Sequence, residues 1–136
     1  MTKTALVIGG GPAGLMAAEQ LVNAGLSVTI AEAKPTLGRK FLMAGKSGLN
    51  LTMHEPISAF LPHYYEACAR LDPMIKSFGP KEVKKWTEGL GQQIFVGTSG
   101  RVFPKVMKAS PLLRAWIARL LEAGVTLKTN WELTDL

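Results

Sequence analysis

The chain has 136 residues, of which 47% are hydrophobic and 19% charged, a balance suited to one α/β domain with a sizeable core. Its net charge of +6 comes from lysines and arginines spread along the chain, in no run longer than Lys84-Lys85, so a nucleic-acid partner is not expected. No apolar stretch approaches the roughly 20 residues that span a bilayer, and the start is too short and glycine-broken for a signal peptide. A cytoplasmic location is therefore expected. Cys68 is the single cysteine, which excludes an intrachain disulfide and a cysteine-based metal site.

The first segment, Leu6-Val7-Ile8-Gly9-Gly10-Gly11-Pro12-Ala13-Gly14, runs from an apolar strand through a glycine cluster into a helix opening at Leu15-Met16-Ala17-Ala18. The spacing Gly9-x-Gly11-x-x-Gly14 is the dinucleotide fingerprint: a turn, a close backbone approach to a pyrophosphate, and a tight helix-to-strand contact. The bound phosphates would lie over free N–H groups at the positive end of the helix dipole. Ala17, Ala18 and Leu21 share a face with Gly14 at helical spacing, and Gly25 stops the helix. Leu26-Ser27-Val28-Thr29-Ile30-Ala31-Glu32 then alternates as a strand and ends in an acid about twenty residues past the turn, where a ribose-binding carboxylate belongs.

Residues 33–52 show no sustained period and carry Arg39, Lys40 and Lys46 as cations with Ser47, Asn50 and Thr52 as neutral hydrogen-bonding groups. A connection this long is expected to be a binding loop. Residues 55–90 read as a helical insertion: Pro56 opens a helix, Pro62 interrupts or restarts it, Asp72-Pro73 starts another, and Gly79-Pro80 precedes a polar helix with Val83 and Trp86 as its buried edge. His54 and His63 lack a second ligand at metal spacing, so no metal site is expected. Two short β-rich runs joined by Gly97-Thr98-Ser99-Gly100 read as a hairpin over about 93–103.

Ser110-Pro111 caps an amphipathic helix with Leu112, Leu113, Trp116, Ile117, Leu120 and Leu121 on its apolar side. Val125-Thr126-Leu127-Lys128-Thr129 follows as a strand, and Trp131-Glu132-Leu133 is expected to begin another. A right-handed crossover sets the strand at 125 beside that at 28, giving a parallel sheet of order 3-2-1. Three strands are half of a doubly wound sheet, and strand one keeps a bare edge. Residues 1–136 are therefore expected to be the N-terminal portion of a longer protein, or else something other than a further strand covers that edge.

With these motifs, the sequence resembles the N-terminal part of the bacterial HI0933-like family of FAD-dependent flavoproteins, described as NAD(P)/FAD-dependent oxidoreductases. The resemblance rests on residues 7–14, on Glu32, on the block Gly38-Arg39-Lys40-Phe41-Leu42-Met43-Ala44-Gly45-Lys46-Ser47-Gly48-Leu49-Asn50-Leu51-Thr52, and on Gly97-Thr98-Ser99-Gly100-Arg101-Val102-Phe103-Pro104-Lys105. It implies a Rossmann-like fold in which Gly9, Gly11 and Gly14 hold the FAD pyrophosphate. It further implies that Glu32 binds the adenosine ribose and that Gly38, Arg39 and Lys40 line the path toward the flavin. Gly10, Pro12 and Ala13 within the turn, Ala33 and Lys34 after the acid, and Ser47 and Asn50 in the loop complete the candidate cofactor-binding set. Many members read S-G-G-G-R-C-N where this chain has Ala44-Gly45-Lys46-Ser47-Gly48-Leu49-Asn50, so a role for that arginine or cysteine does not carry over.

The function expected is that of the FAD-binding portion of an oxidoreductase, transferring a hydride or electron at the flavin, with NAD(P)H as a possible reductant and an unidentified small-molecule substrate. The alternatives are an NAD-dependent dehydrogenase domain and a dinucleotide-binding module without catalysis. Catalytic residues are not assigned, because no paired carboxylates and no nucleophile with a partner histidine are present.

Overall fold

The computed structural model describes residues 1–135. In chain order the elements are β1 (Thr4–Ile8), α1 (Pro12–Asn23), β2 (Ser27–Glu32), α2 (Arg39–Ala44), β3 (Thr52–Met53), α3 (Ile57–Phe60), a 3-10 segment (Leu61–Ala67), α4 (Cys68–Ser77), α5 (Pro80–Gly89), β4 (Ile94–Val96), β5 (Arg101–Pro104), α6 (Ala109–Glu122) and β6 (Thr126–Thr129). They divide between two compact units, one of Met1–Ala44 with the chain from Ala109 onward, the other of Gly45–Lys108.

In the first unit β2 lies between β1 and β6, all parallel, which is the 3-2-1 order that a right-handed crossover demands. The register sets Val7 beside Ile30 and Ile30 beside Leu127. Alternation along the strands buries Val28 and Ile30 and leaves Leu6 and Ile8, on the opposite face, 59% and 50% exposed. Leu15 and Ala18 of α1 and Leu112 and Leu120 of α6 are fully buried and complete this core. Each large aliphatic side chain so removed from water contributes roughly 1.5–3 kcal/mol.

Helix α1 starts with Pro12 in its first turn, where a missing N–H costs nothing and a fixed φ suits the helix. Its buried stripe runs through Leu15, Ala18 and Glu19, which turns Ala17 outward, contrary to the face read from the sequence. On α6 the stripe is Ala109, Leu112, Leu113, Trp116 and Leu120, whereas Leu121 is exposed. At about 100° per residue, position 121 falls more than a quarter-turn beyond the stripe's centre. The strand expected from Trp131 does not form. Asn130 takes φ 57°, in the left-handed region that breaks a strand, and the Asn130 and Trp131 N–H groups donate to the Lys34 and Glu32 carbonyls.

The connection read as a loop contains α2. Arg39 to Ala44 are residues that enter a helix readily, Leu42 N–H bonds back to the Gly38 carbonyl, and the Phe41 ring meets Trp116 edge-on at 6.3 Å.

The second unit has its own sheet, with β5 between β3 and β4, both antiparallel to it. Phe95 and Phe103 stand opposite each other across β4 and β5 and stack at 5.8 Å. The Asp72-Pro73 pair does not open a helix. Helix α4 is already under way from Cys68 and continues through Pro73, with Lys76 and Asp72 paired at 2.8 Å one turn apart. Helix α5 begins where the Glu82 carboxylate accepts the Gly79 N–H at 3.0 Å, one half of a capping box. Its fully buried residue is Thr87, with Val83 and Trp86 only half-buried. Burial suits Thr87 because its hydroxyl donates to the Val83 carbonyl at 2.9 Å.

Candidate functional site

Three glycines of the turn between β1 and α1 answer to three different constraints. Gly9 sits at φ +100°, where a side chain is strained, and its N–H bonds the Ala31 carbonyl at 2.8 Å. A Cβ on Gly14 would sit on the Gly9 carbonyl oxygen and press Val7 at 3.3 Å, so the helix can lie this close to the strand only with glycine there. Gly11 has an ordinary extended conformation, φ −81° and ψ −178°, and a Cβ there would meet nothing within 4 Å. Neither strain nor packing asks for glycine at position 11. The open space in front of it is what a side chain would take away.

Gly11 caps α1 without a side chain, and the first bond inside the helix is Leu15 N–H to the Gly11 carbonyl. The N–H groups of Ala13 and Gly14 therefore stand in the first turn with no partner inside the helix, while Pro12 has none to offer. An anion placed there meets these donors and the positive end of the helix dipole.

Glu32 ends β2 beside this turn. One carboxylate oxygen accepts the Gly10 N–H at 2.7 Å, and the other accepts the Lys34 N–H at 2.8 Å. These two bonds, first that from Lys34 and then that from Gly10, lower its pKa below the ordinary 4.5; partial burial opposes them, and the Lys34 and Arg39 charges add to the lowering. An ionised carboxylate has about four acceptor positions, so two remain for hydroxyl groups of a ligand. The Gly38 N–H donates to the Gly10 carbonyl at 2.8 Å, which ties the start of α2 to the same turn. Gly38 itself is at φ +67° and abuts Leu113, so the α2 end of the crevice is held against α6.

Between these parts lies a crevice of about 450 Å³ lined by Gly11, Pro12, Glu32, Lys34, Gly38, Arg39, Lys40 and Met43. All belong to the first unit. Gly9, Gly10, Ala13 and Gly14 form the turn behind it, and Ala33 is exposed beside Glu32. Ser47 and Asn50 belong to the second unit. Met43 was not among the residues read as candidates. It lies four residues after Arg39 and three after Lys40, a helical spacing visible only once 39–44 is known to be α2. Leu37 was also missed: a Cβ on Gly10 would come within 2.8 Å of its Cδ2, so it backs the turn.

The HI0933-like protein Rossmann domain matches residues 3–136. The chain belongs to the HI0933-like family. Among solved structures, this HI0933-like domain resembles THI4 of Thermovibrio ammonificans, with a TM-score of 0.54 and 20% identity over 94% of this chain and 38% of that one. Glycine oxidase from Bacillus cereus ATCC 14579 gives a TM-score of 0.54 at 16% identity, covering all of this chain and 49% of the oxidase. An open flavocytochrome c3 fumarate reductase gives 0.54 at 18% identity, covering 95% and 26% respectively. A stretch of 36 residues is 58% identical to lysine-specific histone demethylase 1B of Mus musculus, which is 26% of the HI0933-like domain and 4% of the demethylase. The domain thus spans less than half of each of these proteins, and the structural likenesses are ones of fold. Among the described residues no helix is long and apolar enough to cross a membrane, and no group of three or more histidine, cysteine or acidic side chains is gathered as for a metal ion.

Proposed function

We propose that this chain is the FAD-binding portion of a flavoprotein oxidoreductase. The observation that carries the reading is the open space before Gly11, at the mouth of a crevice shared with Glu32 and the start of α2. The donors fit the group. The Ala13 and Gly14 N–H groups would hold the pyrophosphate oxygens, the two spare acceptor positions of Glu32 would take ribose hydroxyls, and Arg39 and Lys40 would line the way onward. Hydrogen bonds to a charged group contribute roughly 1.5–3 kcal/mol each, and Glu32 has room for two of them. The same charge repels a 2′-phosphate, which disfavours an NADP-type ligand here. Bound FAD supplies hydride or electron transfer at its ring system, and the protein supplies orientation and electrostatics. NAD(P)H as the reductant, a small-molecule substrate, and contacts from Ser47 and Asn50 belong to the same proposal.

Membership of the HI0933-like family supports FAD over NAD, since the turn and Glu32 serve either. Purified protein supplied with FAD should show flavin absorbance that survives desalting, and NADH or NADPH should bleach it anaerobically. Retention of NAD with no retention of FAD would contradict the reading.

A further inference from the structure

Helix α5 carries an unusual charge placement. Lys81, Lys84 and Lys85 fall within its first two turns, three and four residues apart on one side, with Lys81 in the first turn, where the helix dipole disfavours cations. Glu82, the acid among them, is engaged by the Gly79 N–H at the cap. The helix thus gathers three cations on one side, with Glu82 and Glu88 as the acids beside them. The lysines line a cavity of about 330 Å³ with His54, Glu88 and Ile94, all within the second unit. The Lys84 ammonium lies 3.1 Å from His54 Nδ1. Ammonium has only donors, so Nδ1 is the acceptor in this contact and Nε2 is the ring position left to donate. Lys84 is thereby tethered and a further donor, Nε2–H, is fixed.

We propose that this cavity is an anion site for a phosphate monoester on a small molecule. Among the lining side chains three lysines outnumber the one acid, Glu88, and with Glu82 beside Lys81 and Lys85 an excess of positive charge remains for an anion. The donors are ammonium groups and one imidazole N–H, suited to phosphate oxygens, and Ile94 offers an apolar wall for an attached organic group. Glu88 is the discordant charge, and it makes the proposal sharper: removing it must strengthen binding.

The test uses the whole chain, titrated with inorganic phosphate at mildly alkaline pH against sodium chloride of matched ionic strength. The chain has only two histidines, so their ring protons are separable by NMR, with His63 as the internal control. The His54 resonance should shift saturably with phosphate while that of His63 stays put. Lys84→Gln should weaken the dissociation constant about tenfold, the equivalent of one charge-assisted hydrogen bond, and Glu88→Gln should tighten it severalfold. Both exchanges are on a helix surface where glutamine is as good a helix former as the residue replaced. An equal response to chloride, no saturable shift at His54, or an unchanged constant in Lys84→Gln would overturn the site.

Discussion

Glycines spaced alike in the sequence are not alike in the structure, and substitution should tell them apart. Gly14→Ala drives a methyl group into the Gly9 carbonyl, an overpacking that costs about 1–3 kcal/mol, whereas Gly11→Ala meets no atom and should cost less, only the N-cap preference for glycine over alanine being lost. Urea denaturation of the two variants beside the wild type measures this difference. Glu32 supplies a second contrast. Its folded-state pKa lies below 4.5, so the stability it contributes is full above that value and is lost as pH falls through the folded value. The stability gap between wild type and Glu32→Gln should hold steady near neutral pH and close below about pH 4.5. A gap that stays constant into strong acid would mean that the carboxylate is not what holds the Gly10 and Lys34 N–H groups. The fingerprint spacing named these residues from sequence because it encodes backbone requirements, which are local. That Glu32 also braces the turn through Gly10 was not legible, since the contact joins positions 22 residues apart.

At the scale of elements, α1 and α6 are joined by a polar contact that no periodicity announces. Glu19 is 6% exposed and accepts the Trp116 indole N–H at 2.6 Å and the Arg119 guanidinium at 3.1 Å. An acid on an amphipathic helix reads as solvent-facing because carboxylates are rarely buried unless paired, and its partners lie about a hundred residues away. Glu19→Ala leaves the indole N–H without this acceptor and the Arg119 charge without this counterion, and should cost about 3 kcal/mol in denaturant unfolding. Trp116→Phe keeps the Arg119 pair and should cost less. The other differences have equally specific causes. Pro73 was read as a helix start because proline favours first turns, yet α4 had already formed upstream and tolerates the lost bond. The α2 segment lacked the length for a visible period, and its helix rests on Phe41 against Trp116.

For the whole molecule, the strand–turn–helix–strand opening and the order of the parallel sheet were legible, because hydrophobic alternation and the handedness of crossovers leave few arrangements open. The division into two units was not legible, since it depends on which distant residues meet. The crevice belongs to the first unit alone, whose backbone turn, acid and α2 cations were marked in the sequence by type and spacing. If the space before Gly11 is reserved for a dinucleotide, filling it must abolish binding. Equilibrium titration with FAD, followed by flavin fluorescence, tests that claim in wild type and in Gly11→Val, with circular dichroism to establish that both are folded. Saturable binding to the wild type is expected, with a loss of at least a hundredfold in the valine variant at unchanged secondary structure, about 2.7 kcal/mol. Equal FAD affinity in two folded proteins would contradict this expectation.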